Sequence, residues 1–221
     1  MFKDKNKIDY SVYAVTDTDI CPRGRLIETV NEAIRGGSGL IQLREKDITT
    51  REFYAEAMEL KKICDAAGVP LLINDRIDIA LAADADGVHL GQSDMPLAAA
   101  RKLLGEDKII GISAGNVEQA EEAVRGGADY LGSGAAFSTN TKKDANWIGA
   151  EGIKAIADYA HNNPYGRIPI VGIGGINLSN AAELSETGID GVAVVSCIMG
   201  SDDPRGAAAE LKKIVDGFRR R

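Results

Sequence analysis

One punctuation pattern recurs along the chain: a helix-length amphipathic segment, a glycine, then a short apolar run. EAIRGGSGLIQL, KKICDAAGVPLLI, EEAVRGGADYLG and ELSETGIDGVAVV all follow it. Glycine ends a helix at little cost because it enters the left-handed cap conformation without a Cβ clash. The following runs are rich in Val, Ile and Leu, as strands covered by helices must be. They begin near Val12, Leu40, Pro70, Gly87, Lys108, Tyr130, Pro169 and Gly191, which makes eight. Alternation of strand and helix predicts a parallel sheet. Eight units predict an α/β fold of the (β/α)8 TIM-barrel type, a single domain over residues 1–221 with a polar lead-in at 1–10. An open doubly wound sheet is the runner-up, but VTDTDICPRG stands where its glycine-rich turn would follow the first strand.

The formal net charge of −7 argues against general binding to nucleic acid or to an anionic membrane. No apolar run approaches the ~18 residues that span a bilayer. Cys21, Cys64 and Cys197 form no CxxC pair, and no secretory signal opens the chain. A cytoplasmic protein is therefore expected, with each cysteine a small buried hydrophobe or a spectator. The sequence leaves a homo-oligomer open.

The stretch Leu71 to Asp94 carries the sharpest chemical signal. It reads strand, short helix, strand, and the strands run out into Asn74–Asp75 and Ser93–Asp94. Consecutive parallel strands share one rim, so Asp75 and Asp94 are expected to face one small volume. Two such charges repel unless a hard cation lies between them, and Mg²⁺ prefers oxygen ligands. The plainer reading is turn chemistry, with Asp75 capping the helix it precedes.

Gln42, Arg44 and Lys46 are spaced by two, so at strand period they share a face. Polar residues at a barrel strand's end would look into the mouth, where Arg offers phosphate a fork and Lys a point charge. Ser113 ends the fifth strand, as an N-cap for the next helix or as a donor to phosphate. The long connection from Ala135 to Ile148 holds Thr139, Asn140, Thr141 and Lys142, a composition that suits an anion or a solvated loop. Gly174, Gly175, Val195 and Ser196 follow the last two strands, the common phosphate position of such barrels, where a helix amino terminus is expected to assist. His89 reads as a hydrogen-bonded core residue, and His161 as a surface one.

These pieces, in this order, resemble the thiamine-phosphate synthase family. The resemblance spans Tyr13 to Ser196. QLREK (Gln42 to Lys46), LIND (Leu72 to Asp75), GVHLGQSD (Gly87 to Asp94), TxTK (Thr139 to Lys142) and GIGGI (Gly172 to Ile176) carry it. It implies a (β/α)8 barrel, a Mg²⁺ requirement and two small-molecule substrates. These are 4-amino-2-methyl-5-(diphosphooxymethyl)pyrimidine and a methylthiazole ethyl phosphate or its carboxylate. It implies that Gln42, Arg44, Glu45 and Lys46, with Asn74, Ser113 and Lys142, hold the pyrimidine diphosphate. Arg44, Lys46, Ser113 and Lys142 would assist catalysis, and Asp75 and Asp94 would bind the metal. Thr139, Asn140, Thr141, Gly175, Val195 and Ser196 would hold the thiazole phosphate.

The chain departs from the family pattern at Gly115, where a histidine is usual, and at Ala135, Ala136 and Ser138 in the GPVFPT segment. The related thiazole tautomerase depends on that histidine and dispenses with the diphosphate set, so Gly115 disfavours it. A non-catalytic phosphate sensor would keep the glycine grip and have no use for paired aspartates.

Overall fold

The computed structural model describes residues 4–138 and 147–218. Its eight parallel strands are β1 (Val12–Val15), β2 (Leu40–Leu43), β3 (Leu71–Asn74), β4 (Gly87–Leu90), β5 (Ile109–Ala114), β6 (Tyr130–Ser133), β7 (Ile170–Ile173) and β8 (Gly191–Val194). Each pairs with its neighbours in sequence, and β1 pairs with β8, so the sheet closes. The expected barrel is present, with every strand start within one residue of its sequence expectation.

Helices α1 (Arg23–Arg35), α2 (Thr50–Ala67), α3 (Ile77–Ala82), α4 (Leu97–Leu104), α5 (Val117–Arg125) and α6 (Gly149–His161) each follow the strand of the same number. Helices α7 (Ser196–Met199) and α8 (Pro204–Asp216) both follow β8. The ends are built from local chemistry. A capping box joins Thr49 and Glu52 at the start of α2, and Gly68 ends that helix at φ 69°. Asn116 caps α5 by accepting from the Gln119 N–H. Only a 3₁₀ turn (Ala181–Leu184) lies between β7 and β8, so the helix expected after the glycines is not formed.

Strand parity divides the apolar residues into two groups. Alternate residues face the surrounding helices, where Leu43, Leu71, Ile73, Leu90 and Leu131 are fully buried. The others fill the barrel with Tyr13, Val15, Leu40, Leu72, Ile109, Tyr130, Val171 and Ala193, above Ile8 and Tyr10 from the lead-in. The interior is therefore packed at the base and polar near the mouth.

An acidic pin recurs at the amino-terminal side of three even-numbered strands, β4, β6 and β8. Asp86, Asp129 and Asp190 immediately precede β4, β6 and β8. Each carboxylate accepts the backbone N–H of a first or second residue in the strand before it: Leu71 at 2.9 Å, Ile110 at 2.8 Å and Ile170 at 2.9 Å. Each aspartate's own N–H donates back to the carbonyl of that same residue. Cations neutralise the pins: Lys61 at Asp86, Arg101 at Asp129 and Arg167 at Asp190, where His161 Nε2 also lies 3.1 Å from Oδ2. His161 is thus a half-buried partner of Asp190, not the surface residue its helix end suggests.

Burial opposes the charge of Asp190, but His161, Arg167 and the Ile170 N–H together hold its carboxyl below the usual range. A depressed carboxyl stabilises the fold above its unfolded pKa, and that contribution is lost as pH falls through the folded value. Asp190→Ala is expected to cost about 2–3 kcal/mol in urea unfolding at neutral pH, from loss of charged hydrogen bonds in a buried setting. The deficit should shrink in acid. An unchanged midpoint would show that the pin is not structural.

Candidate active site at the carboxyl rim

The carboxyl ends of all eight strands meet at one rim, and most of the candidates gather there. Gln42 faces the interior from β2 and is 4% exposed. Beyond the strand, Arg44 donates from Nη1 to Asp17 Oδ2 at 3.0 Å, and its N–H reaches Thr16 Oγ1 at 2.9 Å. Lys46 Nζ reaches Asp75 Oδ2 at 2.6 Å. The period-two row therefore continues into the mouth past the end of the ladder. Glu45 turns the other way, accepting from Thr18 Oγ1 at 2.7 Å, and burial pushes its carboxyl up.

Asp75 sits at φ 61°, the left-handed region that few residues other than Gly, Asn and Asp enter readily. Its N–H donates to the His89 carbonyl at 3.0 Å, which ties the end of β3 to β4. Arg76, not Asp75, occupies the N-cap of α3, and no side chain caps that helix. The capping reading of Asp75 is thereby removed.

Asp94 folds back through a tight turn to accept the Gly91 N–H at 2.6 Å. Its carboxyl also lies within hydrogen-bonding reach of Asp75. Partial burial raises the Asp94 carboxyl, the contact with Asp75 raises it further, and the Gly91 N–H and Lys46 oppose the shift. The two aspartates thus share one volume with Lys46 beside them. Among the described residues no group of three or more His, Cys, Asp or Glu assembles. Two hard oxygen donors fit an octahedral cation that completes its shell with water and phosphate oxygens, as Mg²⁺ does.

Ser113 faces the interior of β5 and accepts or donates at His89 Nε2, 2.9 Å away. Asn116 takes the capping role, so that reading of Ser113 is removed too. Asn74 ends β3 nine-tenths buried.

On the far side of the mouth, Gly174 and Gly175 have φ of 99° and 67°. A Cβ on Gly174 would lie 2.6 Å from Ala135 Cβ, and one on Gly175 would lie 2.9 Å from Phe137 Cβ. Their bare backbone lets residues 135–138 cross the end of β7, with Phe137 N–H on the Gly174 carbonyl at 2.9 Å. Tight packing is thus one reason for these glycines. Val195 and Ser196 stand at the start of the four-residue α7, across the rim. Thr139, Asn140, Thr141 and Lys142 lie outside the described residues. Both ends of their connection are tied down, since the Ile148 N–H and Trp147 Nε1 donate to the carbonyls of Ala135 and Ala136 at 3.1 Å each.

Sequence reasoning missed Asp17, the partner of Arg44, and the interior tyrosines Tyr13 and Tyr130. A parity signal was available for the tyrosines. Both fall on the inward register that also carries Gln42, His89 and Ser113.

A TIM barrel with an acidic pair, a lysine and an arginine at the carboxyl rim has the layout of an enzyme whose active site lies at the carboxyl ends of the strands. Comparison with known proteins narrows the class. A family model described as thiamine monophosphate synthase matches residues 12–198. A thiamine-phosphate synthase of Ruminiclostridium cellulolyticum is 52% identical over 95% of this chain and 97% of its own. One from Chloroflexus aurantiacus is 50% identical over 94% of each chain. The solved thiamine phosphate pyrophosphorylase of Pyrococcus furiosus superposes with a TM-score of 0.85 at 41% identity, covering 96% of this chain and 98% of its own. The chain belongs to the thiamine monophosphate synthase family, and membership makes it a transferase of thiamine biosynthesis.

The acidic contact has a measurable signature. A carboxyl raised on folding costs stability once it ionises, so the metal-free protein should lose stability as pH rises from the unfolded carboxylate range through the Asp94 value. In chelator, Asp94→Asn is expected to remove part of that loss. Identical pH profiles for the two proteins would mean that Asp75 and Asp94 do not sense each other.

Proposed function

We propose that the chain joins 4-amino-2-methyl-5-(diphosphooxymethyl)pyrimidine to 4-methyl-5-(2-phosphooxyethyl)thiazole or its carboxylate. The products are thiamine phosphate and diphosphate, with CO₂ from the carboxylated thiazole. The observation that carries the site assignment is the meeting of Asp75, Asp94 and Lys46 at the rim. Asp75 and Asp94 would hold Mg²⁺, which when bound supplies positive charge to the diphosphate oxygens.

The bond between the pyrimidine methylene and the diphosphate oxygen breaks with both electrons leaving on oxygen. The thiazole nitrogen then uses its lone pair to form the new C–N bond. No strong base is required. Departure requires charge to be neutralised where it develops. Arg44 and Lys46 are poised for this because each is parked on a carboxylate. The Lys46 side chain is about half exposed, so its pair with Asp75 is worth at most ~1 kcal/mol and exchanges readily for a phosphate contact. Ser113 and Asn74 would donate to the same group, Gln42 would orient the pyrimidine, and Glu45 would support the QLREK segment. Lys142, Thr139, Asn140 and Thr141 would cover the anions. Gly175, Val195 and Ser196 would receive the thiazole phosphate.

The tautomerase reading has no support at its key position. A Cβ at Gly115 would meet only Gln119 Oε1, at 3.5 Å, so the backbone there does not demand glycine, and the chain supplies no histidine. No helix of the described residues is long and apolar enough to cross a membrane. The cysteines are free, which agrees with a cytoplasmic setting.

Incubating both substrates with Mg²⁺ should yield thiamine phosphate and diphosphate in equal amounts, and chelation should stop it. Asp75→Ala and Lys142→Ala should each lower turnover by roughly a hundredfold or more, as loss of an electrostatic stabiliser does. Near-normal rates in both variants would remove the site assignment. Calorimetry with Mg²⁺ and diphosphate should show weaker binding as pH falls through the raised Asp94 range, because the proton competes with the metal.

A further inference from the structure

A chain of hydrogen bonds crosses the barrel beneath the mouth. Gln42 Nε2 donates to the Tyr13 hydroxyl. The Tyr13 and Tyr130 hydroxyls lie 2.9 Å apart. The Tyr130 hydroxyl is 2.8 Å from His89 Nδ1, and His89 Nε2 is 2.9 Å from Ser113 Oγ. The chain begins and ends on residues assigned to the pyrimidine diphosphate, and Tyr13, Tyr130 and His89 link them across the interior. Space is cleared for it by two glycines. A Cβ on Gly111 would overlap the Tyr130 ring, and one on Gly132 would lie 2.9 Å from His89 Cε1.

Donor arithmetic gives the chain a direction. Burial holds both phenols far above their ordinary pKa, so each keeps its one proton. Tyr13 is 1% exposed and accepts from Gln42, so its own proton has Tyr130 as its partner. Were Tyr130 to donate to Tyr13 instead, the Tyr13 proton would be buried with no acceptor, at about 1–3 kcal/mol. Tyr130, having accepted, donates to His89 Nδ1. A neutral imidazole that accepts at Nδ1 carries its proton on Nε2 and donates it to Ser113 Oγ. The Ser113 oxygen then accepts from His89, and its own proton is left to donate toward the mouth.

We propose that Tyr13, Tyr130 and His89 are positioning residues that polarise this chain from Gln42 to Ser113, fixing the Ser113 hydroxyl as a donor to the departing diphosphate. The role of Ser113 rests on the proposed function above; the direction of the chain does not. Hydrogen bonds in series polarise one another in a low-dielectric interior, so the orientation set at Gln42 is felt at Ser113. Its consequence is that substrate contacts on opposite walls of the barrel are not independent.

Two measurements test this. The full chain, labelled with ¹⁵N in its imidazoles and free of substrate, should show His89 with a bare Nδ1 and a protonated Nε2. Tyr130→Phe should abolish that preference. An Nδ1–H tautomer in the wild-type protein would mean that the chain runs the other way, and would overturn the proposal whether or not thiamine phosphate is made. In steady-state assays Tyr13→Phe should lower kcat roughly tenfold, with little change in KM, because a donor is misaligned far from the lost hydroxyl. Added to Ser113→Ala, the same substitution should cost almost nothing further. If Tyr13→Phe slows Ser113→Ala as much as it slows wild type, the two residues act separately and the relay is refuted.

Discussion

Closure of the sheet is the constraint from which the remainder follows. A ring of eight parallel strands has no edge, and every strand must deliver its carboxyl end to the same rim. Parity then assigns each side chain to the helices or to the interior, with no third option. The ring is held at its other end by Asp86, Asp129 and Asp190, each of which satisfies backbone groups of the preceding strand and is matched by a cation. Because this pinning is done at the base, the rim is free to carry polar residues that contribute little to holding the barrel shut.

The rim resolves an electrostatic problem set by an acidic chain. The proposed anionic substrates would have to be attracted against a net charge of −7. Asp17 and Asp75 hold Arg44 and Lys46 in orientation at the rim. Asp75 and Asp94 are pressed together at a cost that the proposed divalent cation would relieve. Charges that oppose one another in the free protein are therefore the ones that a metal diphosphate would reorganise. The interior relay adds a second layer, in which neutral groups set the direction of a donor without placing another charge in the site.

Particular residues show how much was legible beforehand. Gln42, Arg44 and Lys46 declared themselves because polar residues at strand period interrupt an apolar run. Asp75 and Asp94 did so because each ends a consecutive strand. Gly174 and Gly175 were noticed for their freedom of approach, yet the contacts of residues 135–138 supply a packing reason as well. Asp17 was invisible because nothing local marks it as the partner of Arg44, 27 residues later. Tyr13 and Tyr130 looked like ordinary strand aromatics, because a hydroxyl gives no sign in sequence of whether it meets a partner.

The order of elements, the barrel and the identity of the rim were fixed by periodicity and punctuation, which are local properties of the chain. Family membership was equally legible, since its motifs are short and contiguous. Tertiary structure alone decided which carboxylate meets which cation, that Asp75 caps nothing, that His161 serves Asp190, and that five side chains from five strands make one continuous path. Those outcomes depend on distances across the ring. Strands remote in sequence set such distances through register and twist, which no local pattern encodes.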